Sequence, residues 1–501
     1  MNLSLFQSEI AVVLLGLGVL LADLWLPSEA RNKLGYAAAA GLVAIFLYGF
    51  RGLLIDPVHV SVFPIGGSKF GMFIQDGLAV YFKQFFLLAA AIVLLMSVEY
   101  SSRFTAGISE FYSLTLFALL GMLFAASSND FVMMFVSLEL ITITFVVLNS
   151  FQRNRMASLE AGVKYLIIGA LASAFMVFGI ALVFGSAGTT NFEEVRALQK
   201  TLAANPVFLV GLLLVTVGLG FKIAAFPFQI WAPDVYQGSP APATAFLAVG
   251  SKAAGIVLLM RVLFGAVPML TSHATKLLIV VAAITILYGA LCAIPQRNIK
   301  RLMGYSSIAN AGFLLLGVAA APHEGLTATL YYLTGYLFTV LAAFLVIAVV
   351  LRETESEDIS VLHGLGHRSP YLALALTLSM VSLAGVPPLA GFFGKFLLLR
   401  SVMAAGTLDS SYYLLVAVAV VGVVLSIYYY LGIIRAIYWG GTNPDKSVLR
   451  FGITTKVALA ICIAGMLYAG VLPHFLVQTA SNAVGSSLHP EPVTAQTSAA
   501  R

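Results

Sequence analysis

Fourteen apolar stretches, each near the length of a bilayer crossing, run through this chain, and four of them carry a charged side chain well inside the span. A transmembrane helix needs about 20 mostly apolar residues. Such stretches occupy positions 9–26, 36–55, 77–98, 111–128, 131–150, 162–186, 205–228, 242–264, 275–294, 302–320, 326–351, 371–400, 411–440 and 453–477. In hydrocarbon each must satisfy its own backbone, so the expected fold is all-α and polytopic. Hydrophobic residues make up 60% of the 501 and charged ones only 10%, too few to cover a soluble domain of this size. The net charge of +6 does not indicate nucleic acid, because the basic residues are scattered between apolar runs without interleaved aromatics. Cys292 and Cys462 stand alone, and the histidines lie mostly in loops, so neither a metal site nor a haem or iron-sulfur ligand set is expected. The start, MNLSLFQSE, lacks the basic region of a signal peptide, so the first segment is expected to stay in place. The polar tail from about Ser481, with Pro490 and Pro492, is expected to be disordered.

Basic residues divide unequally between the two sets of loops. Those after odd-numbered segments hold Arg31, Lys33, Arg103, Arg153, Arg155, Arg297, Lys300, Arg301, Arg352, Arg368, Arg435, Lys446 and Arg450. Those after even-numbered segments hold Lys69, Arg196, Lys200, Arg261, Lys276 and Arg400. Cytoplasmic loops retain Lys and Arg, which puts the first set inside and both termini outside. Trp25 and Trp439 fall at predicted helix ends on the cytoplasmic side, a position that suits an amphipathic indole.

Segments 7 (GLGFKIAAFPFQIWAPDVY) and 12 (SLAGVPPLAGFFGKF) carry Pro227 and Pro233, and Pro387 and Pro388, where proline must break or bend the helix. Five segments separate them, and an odd displacement reverses direction across the membrane. This predicts two inverted five-helix repeats, segments 4 to 8 and 9 to 13. The domain boundaries follow as 1–110 for helices 1 to 3, 111–265 and 266–440 for the repeats, and 441–501 for helix 14 and the tail.

Glu139, Lys222, Lys252 and Lys395 lie inside segments 5, 7, 8 and 12. Each costs about 2.5 to 3.5 kcal/mol at a helix centre, so a fold that keeps all four is expected to use them. A lysine whose charged form is disfavoured by burial and favoured by a carboxylate can take up and release a proton, which is relay chemistry. The bland alternative, a static Glu139–Lys222 salt bridge that fixes packing, leaves Lys252 and Lys395 unexplained. Lys164, near the start of segment 6, fits a relay or a snorkelling role equally well. Lys83 is read as snorkelling, and Asp23 and Asp234 as helix-end residues. The acidic run Glu353, Glu355, Glu357 and Asp358 is read as a solvated loop, and Tyr428 to Tyr430 as interfacial anchors.

With these residues placed, the chain resembles the antiporter-like membrane subunits of NADH-quinone oxidoreductase, respiratory complex I. The stretches that carry the likeness are GLGFKIAAFPFQIWAPDVYQGSPAPATAFLAVGSKAAG at 218–255, IPQRNIKRLMGYSSIANAGFLLLG at 294–317 and SLAGVPPLAGFFGKFLLL at 382–399. The resemblance implies a fourteen-helix fold and a midplane row of charges that couples quinone reduction elsewhere to proton pumping. In that row Glu139, Lys222, Lys252 and Lys395 are the proton relay, with Lys164 a weaker member. It implies no cofactor in this chain: NADH, flavin, iron-sulfur clusters and quinone belong to partner subunits. The implied partners are a neighbouring antiporter-like subunit, small membrane subunits and lipid, in a bacterial inner (plasma) membrane. Gln229 stands where the family usually has PFH, and Asn310 where SSIAHAG or SSISHAG is common. An amide can orient water there but cannot hold a proton. The rival readings are a subunit of a multi-subunit cation/proton antiporter, a subunit of a ferredoxin-driven plastoquinone oxidoreductase, and a scaffold with a dead channel.

Overall fold

The computed structural model describes residues 3–27, 30–54, 60–64, 70–104, 107–320, 323–354, 356–407, 409–439 and 448–488. Thirteen helices in this range are long and apolar enough to cross a membrane, and the remaining predicted segment, 371–400, is divided into two shorter helices. In chain order the helices are α1 (Gln7–Trp25), α2 (Arg31–Leu54), α3 (Gly77–Tyr100), α4 (Ile108–Ala126), α5 (Phe131–Asn149) and α6 (Met156–Ala187). Then come the amphipathic α7 (Phe192–Leu202), α8 (Pro206–Ile223), α9 (Trp231–Gly238), α10 (Ala241–Ala266), α11 (Thr271–Ala293) and α12 (Ile299–Ala319). The last are α13 (His323–Arg352), α14 (Pro370–Ala384), α15 (Ala390–Ala405), α16 (Ser411–Trp439), α17 (Ile453–Val471) and α18 (His474–Leu488).

Burial sorts these helices into a centre and a rim. The apolar window of α10 is wholly buried, and those of α12, α13 and α3 are 94%, 89% and 83% buried, whereas α1, α2, α6 and α16 bury a third or less. Small residues permit the close central packing: a Cβ at Gly255 of α10 would lie 2.9 Å from Ile223 Cγ1 and 3.1 Å from Lys222 Cβ on α8.

The loops meet in two groups. On one side Arg155 reaches Glu357 at 3.1 Å and Lys300 reaches the same carboxylate at 2.9 Å, which joins the loops after segments 5, 9 and 11. On the other, the hairpin of β1 (Val60–Pro64) and β2 (Gly71–Gln75) bridges to Ser128, and Met269 N donates to Gln199 Oε1 at 3.0 Å. Odd loops thus pack on odd loops and even on even.

Both proline segments break, with matching local geometry. Helix α8 ends at Ala224 (φ 61°) and α14 at Gly385 (φ 83°), each in the left-handed region. Ala225 N then donates to Gly220 O, and Val386 N to Val381 O, the six-to-one bond of a left-handed helix cap. A cis proline, Pro227 or Pro388, follows three residues after each cap position. The helix starts show a second parallel: Asp130, which caps α5, forms an isolated antiparallel bridge with Asn191, and Asn298, which caps α12, forms one with Asp358.

Several expectations need correction. Residues 481–488 are helical, because Ala480, Ala483, Val484 and Leu488 form a buried stripe on α18, tied down by Leu78 N donating to Ser487 Oγ at 2.9 Å. The rest of the tail, with Pro490 and Pro492, lies outside the described residues, as do Lys69, Glu355 and Lys446. The acidic run is not simply solvated: Glu357 accepts from Asn298 and Arg155 and pairs with the buried Lys300. Burial raises its carboxyl, but the Lys300 ammonium and these donors outweigh that and hold it below the usual range. Tyr429 and Tyr430 are core residues, and of the three tyrosines only Tyr428 is exposed. Lys83 does not snorkel and Arg261 is not in a loop; both are buried in helices beside carboxylates. Trp25 and Trp439 are exposed at the last positions of α1 and α16.

Candidate functional site

Three of the sequence-predicted lysines, Lys222, Lys252 and Lys395, are at most 4% exposed. Their partners are hydroxyls, carbonyls and aromatic rings rather than carboxylates. Lys222, in the last turn of α8 and two residues before its Ala224 cap, donates to Tyr165 OH on α6 at 3.1 Å and lies 5.5 Å from the Phe221 ring. Trp231 closes this pocket, its indole Nε1 donating to Phe221 O at 3.0 Å across the break.

Lys252 sits where the backbone of α10 changes. Residues Leu247–Ser251 form a π turn, and a second π turn runs from Arg261 to Ala266. Wide turns of this kind recur at functional positions because they loosen the regular ladder and re-aim a side chain. The Lys252 ammonium donates to both the carbonyl and the hydroxyl of Ser307 on α12. That hydroxyl also meets Tyr236 OH at 2.8 Å and accepts from Tyr336 OH at 3.3 Å.

A second cluster lies one residue along α12. Ser306 Oγ lies 2.6 Å from Tyr430 OH, Asn310 Nδ2 donates to Ser306 O at 2.9 Å, and Tyr332 OH donates to Asn310 Oδ1. Tyr332 in turn packs against Gly394, the neighbour of Lys395. Lys395 Nζ donates across the second break to Leu383 O at 2.7 Å and Ala384 O at 3.5 Å, and lies 4.9 Å from the Phe313 ring centre. Its ammonium thus serves the orphan carbonyls at the end of α14, where the helix dipole also favours a cation.

Glu139 stands apart from this chain. It is only partly buried on α5, accepts from Ser173 Oγ, and forms no ion pair with Lys222. The expected contact between the two is therefore not made here: each has a nearer hydroxyl partner. Lys164 is 39% exposed and bound by Glu160 and Asp234, each at 2.6 Å, with Arg301 sharing Asp234. Asp234 is the centre of that ion cluster and not a free helix-end residue.

Ser306, Ser307, Tyr236, Tyr332, Tyr336 and Tyr430 escape sequence reasoning, since isolated hydroxyls on apolar helices look like ordinary core or interfacial residues. Gln229 is buried, and its Oε1 has no hydrogen-bond partner among the described residues. Asn310, by contrast, is bonded through both amide atoms.

Residues 128–426 match the family model described as NADH:quinone oxidoreductase/Mrp antiporter, TM. A curated relative from Moorella thermoacetica, named NADH-quinone oxidoreductase subunit N, is 38% identical over 481 residues, covering 96% of this chain and 98% of that one. Another of that name from Trichlorobacter lovleyi is 38% identical over 489 residues, with 96% and 97% covered. A chain of respiratory complex I from Thermus thermophilus with bound aureothin matches with a TM-score of 0.76 and 30% identity, covering 95% of this chain and all of that one.

Proposed function

Because the chain belongs to the NADH:quinone oxidoreductase/Mrp antiporter family, we propose that it is a proton-translocating membrane-arm subunit of an NADH-quinone oxidoreductase in a bacterial plasma membrane. Near full-length likeness to proteins named subunit N favours this over cation/proton exchange. NADH, flavin, iron-sulfur clusters and quinone are held by other subunits, and their redox chemistry shifts the charge state of this one.

The observation that carries the reading is the burial of Lys252 and Lys395 beside two polar clusters on adjacent residues of α12, one joining Lys252 to Ser307, Tyr236 and Tyr336, the other joining Ser306, Asn310, Tyr430 and Tyr332, whose ring packs against Gly394. A hydroxyl can donate and accept at once, the Asn310 amide can orient water, and each lysine ammonium supplies a proton that can leave, so water completes the path between the clusters. Lys222, Lys252 and Lys395 are the relay, and Glu139 biases Lys222 electrostatically. Lys164, ion-paired and half exposed, is the entry-side member. Val132, Val136, Ile143 and Val147 form an exposed apolar stripe on α5 that brackets Glu139, a face that meets lipid or a neighbouring membrane subunit.

The two breaks, the paired caps and the paired bridges support two inverted repeats, 111–265 and 266–440, flanked by 1–110 and 441–501. The basic odd loops face the cytoplasm and both termini face outward. Single cysteines in the loop of Arg153 and Arg155 and in the tail should label from opposite sides of the membrane. Lys252→Met in the intact complex should cut proton transfer per NADH oxidised. Wild-type pumping in that variant would refute the relay.

A further inference from the structure

Outside the lysine row, the loops after segments 2, 4, 6 and 8 enclose a cavity of about 430 Å³ whose walls include Asn129, Glu193, Arg196 and Ser487 and whose floor is Asp76 and Arg261. Asp76 caps α3 through Ala79 N at 2.8 Å and takes Arg261 in a two-pronged pair at 3.0 and 2.8 Å, while Arg261 Nε donates to Ala126 O at 2.8 Å. One residue behind that floor, Gln75 Oε1 accepts from Lys83 Nζ at 2.6 Å, and the same ammonium lies 2.7 Å from Glu9 Oε1 of α1. Glu9 is 2% exposed, Lys83 is 3% exposed, and Glu9 Oε2 has no partner among the described residues. The charged groups acting on Lys83 are Glu9, Asp76 and Arg261.

The two ion pairs are built differently. Arg261 cannot lose its proton and its fork is filled, so with Asp76 it is a fixed element. Glu9 and Lys83 can each exist neutral or charged, and the spare oxygen of Glu9 leaves a place for a proton. Arg261 opens the second π turn of α10, nine residues beyond Lys252, or about 13 Å along the same helix.

We propose that this cavity is a water-filled vestibule on the extracytoplasmic face and that Glu9 and Lys83 behind its floor form a second proton-binding site, separate from the lysine row. Cavity water supplies the proton that the Glu9 carboxylate takes up, giving a carboxylic acid beside the Lys83 ammonium, and the proton returns to that water when Glu9 ionises again. The Asp76–Arg261 pair, which keeps both its charges, stands between the vestibule and this site and sets the field in which that proton moves. The inference rests on the proton-translocation reading above.

The test uses the whole complex in membranes, with Glu9→Gln, Lys83→Met, the double variant and Lys252→Met compared for assembly and for protons moved per NADH oxidised. The expected result is that the double variant, which removes both charges and so relieves any unpaired one, assembles yet moves protons more slowly. A positioned proton acceptor commonly contributes on the order of a hundredfold to the step it serves. In parallel, Ala197→Cys, made with Cys292 and Cys462 replaced by Ser, should react with a membrane-impermeant methanethiosulfonate from the extracytoplasmic side, and the adduct should slow proton transfer. A double variant that assembles and pumps like the wild type while Lys252→Met does not would overturn this inference and leave the relay standing. Normal pumping by Lys252→Met would overturn the relay itself. If the double variant does not assemble, the labelling decides: an unreactive thiol in the Ala197→Cys variant, or an adduct without effect on proton transfer, overturns the vestibule.

Discussion

Replacing Lys395 separates a proton carrier from a structural cap, because the two roles ask different things of the side chain. As a cap, the residue needs only to donate to Leu383 O and Ala384 O, which Lys395 does at 2.7 and 3.5 Å. Arginine can do this, so Lys395→Arg should leave the break at Gly385 and the assembly of the complex intact. As a carrier, the residue must lose a proton during turnover. A guanidinium holds its proton about two to three pKa units more tightly than an ammonium, which adds roughly 3 to 4 kcal/mol to each deprotonation. Proton transfer through this position should therefore fall by about a hundredfold or more. Lys395→Met gives the complementary result. It strands the carbonyls at about 1 to 3 kcal/mol but removes the cost of burying a charge, so assembly should survive while coupling drops. The assay is blue-native electrophoresis for assembly, with NADH oxidation and proton transfer measured in the same vesicles. Full pumping by Lys395→Arg, or failure of Lys395→Met to assemble, would refute the carrier role and leave only the cap.

Other perturbations probe the supporting geometry. Gly255→Val places a Cβ 3.1 Å from that of Lys222 and 2.9 Å from Ile223, so it should cost about 1 to 3 kcal/mol by overpacking and lower pumping by displacing Lys222, both readable by thermal unfolding and proton transfer. Glu139 and Lys222 should show a double-mutant coupling in pumping of only about 0.5 kcal/mol, the low end for interacting residues, since each bonds a different hydroxyl; coupling near 3 kcal/mol would mean a direct pair. Glu357 has its carboxyl lowered in the folded protein, so the stability it contributes is present above the ordinary glutamate range near pH 4 and is lost as pH falls through its lower folded value. Glu357→Gln should abolish that part of the acid-induced loosening of the 352–369 loop, followed by limited proteolysis, and should cost about 3 kcal/mol by leaving buried Lys300 without its carboxylate.

How much of this was legible in the sequence depends on whether a feature announces itself locally. Apolar runs and prolines do, so the spans and the two breaks are read within a few residues. Lys222, Lys252 and Lys395 do too, because an ammonium on an apolar helix has no ordinary explanation. Contacts between distant segments do not. Glu9 stands at the first position of its apolar run and Lys83 reads as snorkelling near the end of another, and only the fold brings the two side chains together. Arg261 looks like a loop residue because its partner, Asp76, is 185 positions away. The carboxylate expected for Lys222 failed for the opposite reason: Glu139 was the only midplane acid in view, whereas Tyr165, an ordinary aromatic in sequence, holds the nearer oxygen.

The two breaks share a backbone yet treat their exposed carbonyls differently, and this bears on why the lysines lie on opposite sides of the prolines. In the first, the indole of Trp231 serves Phe221 O, so Lys222 bonds a tyrosine hydroxyl and can change charge without disturbing the helix end. In the second, Lys395 itself serves Leu383 O. A neutral amine still donates there, but a hydrogen bond from an ionised donor is roughly twice as strong as one from a neutral donor. Loss of the Lys395 proton therefore weakens the tie across its break, and tightening that tie favours the proton's return. The geometry of α14 and α15 and the charge of Lys395 are consequently linked in both directions. The first break lacks that linkage through Lys222, so in the proposed relay a conformational change at the second break acts on Lys395 directly, whereas Lys222 has no such tie to its own helix end.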